Sequence, residues 1–504
     1  MQDTNEHNEL AFIDLRDPLA PSFWTYKQFD QAVKRVASGL QRRGLKRQDR
    51  VAIISQNRVE YMITHMGILR AGMVSVPVNY KLPKFSIDHV IADCSASLIF
   101  AGNLYLDLVP KDVGLINFDE DEGDTAFCKF VGDEDVVFVD DIPVGEKEAE
   151  IAKILYTSGS TGLPKGVEIT CAGQSWGLSA YAKSENDDRP RRQLIVAPFY
   201  HKNGLYGAAL QLTDRDCVVS LPKFDPVVYL KTIAKYRCDT LSGVPTMFSL
   251  VSGVSEKTID KLDLCCVSTI QMGSAPLTPD LIKRTEKIFK NAVIENCYGS
   301  TEAGPALFGN HPDGLPTPPS SLGYPLESTE FRLTGGASPK EGRFYVRTPA
   351  MMKGYLNLDE LTSKCLVNGW FDTRDIMRID SDGFWFFVSR ADDMIICGGE
   401  NIYPSEVEKL LENHPSIVQA VVVSVPDEIK GQIPVAFIIK SDGADLNEER
   451  VKKFALENGP AYAHPRHVFF RDTVPLAGTN KVDLRHLKEE AEVIISALND
   501  ELTN

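Results

Sequence analysis

Strand-like apolar runs alternate with helix-like segments along much of this 504-residue chain. The runs RVAIISQN and VSVPVN are rich in β-branched residues, whereas MITHMGILRAG between them repeats apolar residues at helical spacing. The segment YKQFDQAVKRVASGLQRRG has the same helical spacing and ends at Gly44, which is typical of a helix stop. Strands that alternate with helices predict an α/β fold, in which helices cover both faces of a largely parallel sheet.

Three strand-like runs in the middle of the chain lead directly into loops of small residues. They are AKILYTSGSTG, CVSTIQMGSAP and AVIENCYGSTEAG. Because ligands of open parallel sheets bind at the carboxyl ends of the strands, these loops could meet around one site although they are far apart in sequence. For any one loop taken alone, an ordinary strand-to-helix turn is the preferred interpretation.

The chain changes character after about Ser389. The segment SRADDMIICGGENIYPSEVE is dense in charge and glycine, as a linker would be. It is followed by AVVVSVPDEIKGQIPVAFIIK, which predicts two β segments joined by a polar turn, and by two amphipathic helices, LNEERVKKFALEN and VDLRHLKEEAEVIISAL. Since 504 residues exceed one compact core, we expect two domains, 1–390 and 391–504.

Composition and charge exclude some classes of function. A net charge of −16 repels nucleic acids and anionic membrane surfaces, although a locally positive site can still bind a small anion. The ten cysteines contain no C-x-x-C pair, so we expect neither a zinc site nor a disulfide framework. The N-terminus, MQDTNEHNEL, is unlike a secretory signal, and no apolar stretch approaches the roughly 20 residues that span a bilayer. The expectation is a cytoplasmic protein.

The segment YTSGSTGLPKGVEIT, from Tyr156 to Thr170, places glycines and hydroxyl side chains around a single lysine, Lys165. It fails the Walker pattern G-x-x-x-x-G-K-[ST], because Gly166 follows the lysine where that pattern requires a hydroxyl. A loop with this many N–H and O–H donors can still wrap the phosphates of a nucleotide. Composition alone does not separate that interpretation from a solvated Gly/Ser turn.

Five segments, in order along the chain, resemble signatures of the adenylate-forming superfamily: acyl- and aryl-CoA synthetases, peptide-synthetase adenylation domains and firefly luciferase. They are YTSGSTGLPKG, NCYGSTEAG, GWFDTRD, SRADDMIICGGENIYPSEVE and PLAGTNKVDLRHL. The resemblance covers essentially the whole chain, and the ordered set is far more specific than one loop. It implies the family's fold: a large N-terminal domain of parallel sheets and helices, a small mobile α+β C-terminal domain, and an active site between them.

The resemblance implies a role for each matching residue. Glu302 would bind Mg²⁺, a hard cation that prefers oxygen, and Lys481 would place an ammonium against the reacting carboxylate and α-phosphate. The ATP or AMP would be bound by Thr157, Ser158, Gly159, Ser160, Thr161, Gly162 and Lys165 at the pyrophosphate end, by Asp375 and Arg390 at the ribose, and by Gly273, Ser274, Asn296, Tyr298, Gly299, Ser300 and Thr301.

Each of the charged residues also has a purely structural interpretation. Glu302 can cap a helix after the Ser-Thr pair, Asp375 can form a turn, and Lys481 can simply be solvated. Taken singly, these structural interpretations are preferred. Taken as an ordered set they are not, because the resemblance places all of these residues in matching motifs.

The segment APFYHKNGLYG resembles the aromatic-His segment of acyl- and aryl-CoA ligases, in which the histidine packs beside the carboxylate and gates the pocket. It lacks the aspartate that amino-acid-activating domains use to pair with an α-amino group, which favours an acid without that group. The resemblance implies an acyl pocket formed by His201, Lys202, Gly273, Ser274, Asn296, Cys297 and Gly299, with His201 also a catalytic candidate. For Lys202, a departure from the family pattern, the preferred interpretation is that its stem lines the pocket mouth while the ammonium reaches water. The alternative is that it pairs with a second polar group on the acid.

The resemblance also implies a second half-reaction with coenzyme A (CoA). Asp392 would be the hinge of the C-terminal domain, Cys397, Gly398 and Gly399 would border the pantetheine path, and Arg466 is a candidate contact for the phosphates of CoA. The implied function is an ATP-dependent carboxylic acid:CoA ligase that uses ATP, Mg²⁺ and CoA. It implies small-molecule partners only, no nucleic acid and no stable membrane insertion, and it allows a homodimer. The alternatives are a ligase that loads a carrier-protein thiol, an inactive nucleotide-binding homologue, and a luciferase-type oxygenase.

Overall fold

The computed structural model describes residues 10–132, 148–157, 163–180, 190–305, 307–441, 443–477 and 481–503, without the side chains of 337, 401 and 499–503. Its strands, in chain order, are β1 (Leu10–Asp14), β2 (Ser22–Thr25), β3 (Arg50–Ile54), β4 (Val74–Pro77), β5 (Leu98–Ala101), β6 (Gly114–Asn117), β7 (Ile151–Thr157), β8 (Lys165–Thr170), β9 (Arg192–Ile195), β10 (Cys217–Ser220), β11 (Thr240–Gly243), β12 (Thr269–Gly273), β13 (Val293–Cys297), β14 (Phe308–Gly309), β15 (Tyr324–Pro325), β16 (Glu330–Ser338), β17 (Glu341–Arg347), β18 (Gly354–Tyr355), β19 (Leu366–Val367), β20 (Trp370–Ile379), β21 (Trp385–Arg390), β22 (Ile395–Cys397), β23 (Glu400–Ile402), β24 (Ile417–Asp427), β25 (Gly431–Lys440) and β26 (His467–Phe470).

The α-helices are α1 (Tyr26–Arg42), α2 (Val59–Arg70), α3 (Lys84–Asp93), α4 (Phe127–Val131), α5 (Cys171–Ser179), α6 (Lys202–Thr213), α7 (Pro226–Tyr236), α8 (Pro245–Ser252), α9 (Glu256–Ile259), α10 (Pro279–Ile288), α11 (Asp359–Cys365), α12 (Pro404–Glu412), α13 (Glu448–Asn458) and α14 (Leu484–Thr503). Short 3₁₀ helices span Asn103–Leu108 and Ala461–Ala463. Among the described residues, no helix has the length and apolar character needed to cross a bilayer.

The first large sheet has seven strands in the order β13-β12-β11-β9-β10-β1-β2. Its neighbouring strands are parallel except β1 and β2, which pair antiparallel at one edge. The register sets Gly273 of β12 beside Cys297 of β13. The loops that follow these two strands therefore leave the sheet side by side, as the sequence predicts.

The second large sheet also has seven strands, in the order β18-β8-β7-β4-β3-β5-β6. From β6 to β7 its neighbours are parallel, whereas β8 pairs antiparallel with both β7 and β18. The predicted largely parallel arrangement is thus confirmed for both sheets. Strand β7 ends just before the Gly/Ser-rich loop, and strand β8 begins just after it.

Helices α1, α2 and α6 lie between the two large sheets and share one hydrophobic core with both. That core includes Val36, Tyr61 and Leu205 from the helices, and Phe12 and Phe100 from the sheets. The opposite face of the first sheet packs on α7, α8 and α10, and the opposite face of the second packs on α3. Burial on both faces explains why strands such as β3 and β5 are nearly continuous apolar runs.

The C-terminal part of the chain has a hydrophobic core of its own, formed by residues between Ile395 and Ile495. Its sheet has the order β23-β22-β25-β24, with β26 paired to β25, and helices α12, α13 and α14 contribute to the core. The long hairpin of β24 and β25 and the helices α13 and α14 confirm the elements predicted from the sequence. The domain boundary after residue 390 stays a prediction.

Gly204, near the start of α6, is closely enclosed by backbone. A Cβ atom at this position would lie 2.2 Å from the carbonyl oxygen of Ala197 and 2.5 Å from that of Pro198. Gly207, one turn further along the same helix, has more room, because a Cβ atom there would lie 3.6 Å from the nearest atoms. The absence of a side chain at Gly204 therefore lets α6 approach the end of β9.

We expect Gly204→Ala to lower the free energy of unfolding by about 1–3 kcal/mol, because the backbone around it must shift. Gly207→Ala, on the same helix, should be neutral or stabilising by about 0.5–1 kcal/mol, since alanine is the better helix former. Urea unfolding of both variants at one pH measures the two effects. Equal shifts for the two variants would contradict the predicted close approach at Gly204.

Candidate active site

A pocket of about 980 Å³, measured with its open mouth, lies between helix α6 and the first sheet. Residues of β9, β11 and β12 form its floor, and α6 forms one wall. Six of the residues assigned to the acyl pocket line it: His201, Lys202, Gly273, Ser274, Cys297 and Gly299. Asn296, also assigned there, donates its side-chain amide to the carbonyl of Ser320 (2.9 Å).

Lys481, which belongs to the C-terminal part of the chain, lines the same pocket. Its pKa is lowered mainly by burial and further by the positive charge of Arg390, while Asp375 opposes the shift. The ammonium also acts electrostatically on His201 and Lys202. The alternative of a simply solvated Lys481 is therefore wrong for this arrangement of the chain.

His201 immediately precedes α6 and is uncharged at neutral pH. Burial lowers the pKa of its imidazole to about 3, and the charges of Lys481 and Lys202 contribute. A neutral ring beside these two amines can contact a bound carboxylate without adding a third positive charge.

The amine of Lys202 points into the protein and donates a hydrogen bond to the carbonyl oxygen of Gly304 (2.9 Å). Burial lowers its pKa to about 7; Glu302 opposes this shift and Lys481 adds to it. The prediction that this ammonium reaches water is wrong, because the turn before Gly304 offers a carbonyl partner inside the pocket wall.

Glu302 lies in a small cluster with Tyr355 and Lys165. The hydroxyl of Tyr355 donates a hydrogen bond to Oε1 of Glu302 (3.1 Å), and Nζ of Lys165 lies 5.0 Å from the centre of the Tyr355 ring. Strand β18, which carries Tyr355, pairs with β8, which begins at Lys165. Tyr355 has no signal in the sequence, because MMKGYLN carries no pattern that points to chemistry.

Asp375 is buried, at 7% exposure, within β20, where it pairs with Arg390 at the end of β21. The hydroxyl of Tyr298 donates a hydrogen bond to its Oδ2, and Nη1 of Arg390 lies 3.8 Å from its Oδ1. Burial raises the pKa of Asp375 to about 6, while Arg390 and Tyr298 hold it lower than burial alone would. The two residues predicted at the ribose, Asp375 and Arg390, are thus brought together, and Tyr298, predicted to contact the AMP, joins them.

The sequence of this chain matches one family of known proteins. Residues 2–356 match the family described as AMP-binding enzyme, and residues 406–481 match the AMP-binding enzyme C-terminal domain. The chain belongs to the AMP-binding enzyme family. The relatives of this AMP-binding enzyme include CoA synthases and CoA ligases.

Feruloyl-CoA synthase from Amycolatopsis sp is 31% identical to it over 466 residues, which cover 91% of this chain and 92% of that protein. Long-chain-fatty-acid–CoA ligase from Bacillus subtilis (strain 168) is 30% identical, over 90% of this chain and 88% of that protein. Among solved structures, ATP-bound MatB from Rhodopseudomonas palustris has a TM-score of 0.85 at 25% identity and 98% coverage of both chains. Anthranilate CoA ligase AuaEII, in complex with anthranoyl-AMP, shares the fold with a TM-score of 0.85 at 21% identity, over 97% of this chain and 95% of that chain.

The Gly/Ser-rich loop of this AMP-binding enzyme is described only in part. Ser158, Gly159, Ser160, Thr161 and Gly162 lie outside the described residues. Thr157 ends β7, and its buried hydroxyl has no hydrogen-bond partner in the described part of the chain. On the other side of the loop, Lys165 begins β8.

The loop after β13 forms a tight turn rather than a helix. The Ser300 hydroxyl accepts a hydrogen bond from the Ala303 N–H (2.9 Å), and the Gly304 N–H donates to the Ser300 carbonyl (3.1 Å). Thr301 lies within the same turn. The helix-cap interpretation of Glu302 is therefore wrong, and its carboxylate is free to face Tyr355. Gly299 precedes this turn, where a Cβ atom would lie 2.5 Å from the carbonyl of Pro305.

The predicted hinge residue, Asp392, is half exposed and lies 3.2 Å from the guanidinium of Arg374 and 3.9 Å from that of Arg390. Gly398 and Gly399 connect β22 to β23 with positive φ angles of 61° and 89°, so their local role is a tight hairpin turn.

The two remaining CoA candidates lie close together. The guanidinium of Arg466 is 4.0 Å from the sulfur of Cys397, which immediately precedes that turn. None of the CoA candidates lines the pocket that contains Lys481.

The described residues contain no group of three or more His, Cys, Asp or Glu side chains that could hold a metal ion. Within the described ranges, Glu302 places a carboxylate against Tyr355, the residue that also contacts Lys165 at the start of β8. Mg²⁺ is commonly bound by one or two carboxylates together with phosphates and water. One carboxylate therefore fits a Mg²⁺ that arrives with a nucleotide, and does not fit a metal held by the protein alone.

The lowered pKa of Lys202 predicts a dependence of stability on pH. Between pH 7 and about 10 the unfolded chain holds this proton and the folded chain does not, so the wild type gains stability with rising pH relative to Lys202→Met. At pH 7 and below, the variant should be the more stable of the two, because it buries no charge. Thermal unfolding from pH 6 to pH 9.5 measures the difference. Lys231→Met, at an exposed site on α7, is the control. If the difference in stability between wild type and Lys202→Met did not change with pH, the lowered pKa of Lys202 would be contradicted.

Proposed function

We propose that this AMP-binding enzyme is an ATP-dependent carboxylic acid:CoA ligase. It activates an acid as an acyl-AMP with release of pyrophosphate, and then transfers the acyl group to the thiol of CoA. The observation that carries the proposal is the position of Lys481, in the same pocket as His201 and Lys202 and within electrostatic reach of Asp375. The names of the relatives, which include feruloyl-CoA synthase and 4-coumarate–CoA ligase, support CoA as the acceptor.

In the first half-reaction, a carboxylate oxygen of the acid attacks the α-phosphorus of ATP. The bond from that phosphorus to the bridging oxygen breaks, and pyrophosphate leaves with both electrons of the bond. Such a reaction needs charge stabilisation and positioning more than covalent catalysis. The ammonium of Lys481 supplies positive charge where the carboxylate and the α-phosphate meet. The neutral ring of His201 forms the pocket wall beside the carboxylate.

The nucleotide lies across the ends of the parallel strands in this proposal. Asp375 accepts hydrogen bonds from the ribose hydroxyls, with Arg390 beside it and Tyr298 fixing its carboxylate. The loop from Thr157 to Gly162, with Lys165, binds the pyrophosphate end. The other residues proposed to surround the AMP moiety are Gly273, Ser274, Asn296, Gly299, Ser300 and Thr301.

Glu302 is the proposed ligand for Mg²⁺, which enters with ATP and neutralises charge on the phosphates. Its fit rests on the hydroxyl of Tyr355, which orients the carboxylate, and on Lys165, which lies over the ring of the same tyrosine. Among the described residues, Glu302 would contribute an oxygen ligand to the ion that accompanies the phosphates.

The second half-reaction uses a different arrangement of the C-terminal domain. Rotation about Asp392 removes Lys481 from the pocket and brings the turn of Gly398 and Gly399 to its mouth, where the thiol of CoA attacks the acyl carbon and AMP leaves. In the arrangement that the structure shows, Lys481 lines the pocket and the two glycines do not, which is what we expect for the adenylation step. Arg466, next to Cys397, is then the contact for CoA phosphates. The domain limits 1–390 and 391–504, a cytoplasmic location and a homodimer remain parts of the proposal.

The test of the function is a panel of aromatic, short-, medium- and long-chain acids, each incubated with ATP and Mg²⁺, with and without CoA. We expect AMP and pyrophosphate rather than ADP and phosphate, and consumption of the acyl-AMP only when CoA is present. Consumption by a carrier-protein thiol but not by CoA would favour the carrier-loading alternative. Absence of AMP with every acid would favour the inactive homologue.

We expect Lys481→Ala to separate the two half-reactions. Adenylation should fall by roughly 10²–10³-fold, because a preorganised charge at the reacting atoms is lost. Thioester formation from synthetic acyl-AMP and CoA should be nearly unchanged. The control is Lys453→Ala, an exposed lysine on α13. If both half-reactions fell equally in Lys481→Ala, the proposal of two arrangements would be wrong.

A further inference from the structure

The floor of the acyl pocket is polar on the face that meets the substrate. Along β9, β11 and β12 the side chains alternate between two faces of the sheet. Leu194, Leu241 and Ile270 point into the hydrophobic core on the far side. Their neighbours Gln193, Ser242 and Gln271 line the pocket. A pocket for a plain alkyl chain would place apolar side chains on both faces.

Gln193 lies at the deep end of this floor with an unused hydrogen-bonding group. It is 2% exposed, and its Oε1 has no hydrogen-bond partner within the described ranges. The amide lies close to Gly207 of α6, where a Cβ atom would be 3.6 Å from Oε1. Gln271, by contrast, already donates a hydrogen bond from Nε2 to Glu295 (3.0 Å). A buried amide oxygen without a partner is unfavourable unless a ligand or water supplies a donor.

The register gives the depth of Gln193 below the reacting centre. Along α6, Gly207 is the fifth residue after Lys202, which places it about 7.5 Å further along the helix at a rise of 1.5 Å per residue. On the sheet, Gln193 lies level with Thr240 and Thr269, and Thr269 is four residues before Gly273, or about 13 Å along the strand. A group that reaches Gln193 therefore lies roughly 8–13 Å from the carboxylate end.

We infer that the acid activated by this enzyme carries a hydrogen-bond donor, such as a hydroxyl group, at the end remote from its carboxylate, and that Gln193 Oε1 accepts it. This inference rests on the proposed ligase function and specifies its substrate class. The apolar walls, which include Met247 and Leu210, hold the body of the acid, and the amide of Gln193 selects its far end. Gln193 is thus a specificity-determining residue and takes no part in bond making.

The test compares acids that differ only in the remote hydroxyl. The probes are 3-(4-hydroxyphenyl)propanoic acid with 3-phenylpropanoic acid, and 8-hydroxyoctanoic acid with octanoic acid. We expect kcat/KM for AMP formation to favour the hydroxylated member of at least one pair by tenfold or more, because a site built to hydrogen-bond a hydroxyl discriminates strongly against its absence. In Gln193→Leu that preference should disappear or reverse, because kcat/KM should rise for the acid that lacks the hydroxyl.

Gln211→Leu is the matched control, because Gln211 is also buried, at 4% exposure, with an unpartnered Oε1, but does not line the pocket. It should keep the wild-type preference. Gln193→Met gives a second, less disruptive variant if Gln193→Leu is unstable, and thermal unfolding verifies the fold of each. Equal rates within both pairs, or a preference that Gln193→Leu and Gln193→Met leave unchanged, overturn the inference while AMP formation continues. Absence of AMP formation with every acid instead overturns the proposed function on which the inference rests.

Discussion

Two buried or partly buried carboxylates, Glu302 and Asp375, offset the positive charge that this site gathers, and the rest of the arrangement depends on that balance. Moving an amine or guanidinium from water into a protein costs free energy that nearby negative charge, hydrogen-bond acceptors or a bound anion offset. Each carboxylate also accepts a hydrogen bond from a tyrosine, Tyr355 or Tyr298. In a chain of net charge −16, the result is a small positive region suited to anionic ligands.

Much of the framework of this site could be predicted from local sequence. Parallel strands expose their carboxyl ends at one edge, so the apolar runs before GSAP and YGSTEAG predict neighbouring loops, and the register of Gly273 with Cys297 confirms it. The ordered motifs likewise predict that Asp375 and Arg390 lie together. The structure confirms this, because the two residues are paired across the neighbouring strands β20 and β21. The positions of these loops and paired residues depend on the course of the backbone. The periodicity of apolar residues and the placement of turn residues predict that course.

The parts that could not be predicted depend on where side chains point after the chain has folded. The sequence favours an ammonium of Lys202 that reaches water, but Gly304, in a distant segment, supplies a carbonyl partner for it. Tyr355 contacts Glu302 only because β18 pairs with β8, a pairing that a two-residue strand does not reveal in advance. In the sequence, Gln193 is an ordinary polar residue of a strand. Its burial becomes evident only in the folded chain, where α6 lies against it. Each of these outcomes depends on contacts between segments far apart in sequence.

The position of Lys481 also bears on how the catalytic cycle moves forward. In the proposed cycle, the negative charges of ATP and the carboxylate compensate the partly dehydrated ammonium of Lys481 while both occupy the cleft. After pyrophosphate departs and the acid becomes part of a mixed anhydride, that compensation shrinks while the dehydration remains. On the proposed function, the first reaction therefore weakens the docking of the small domain on the large one. The proposed cycle needs no separate signal to undock, because the chemistry itself removes the charge that held the two domains together.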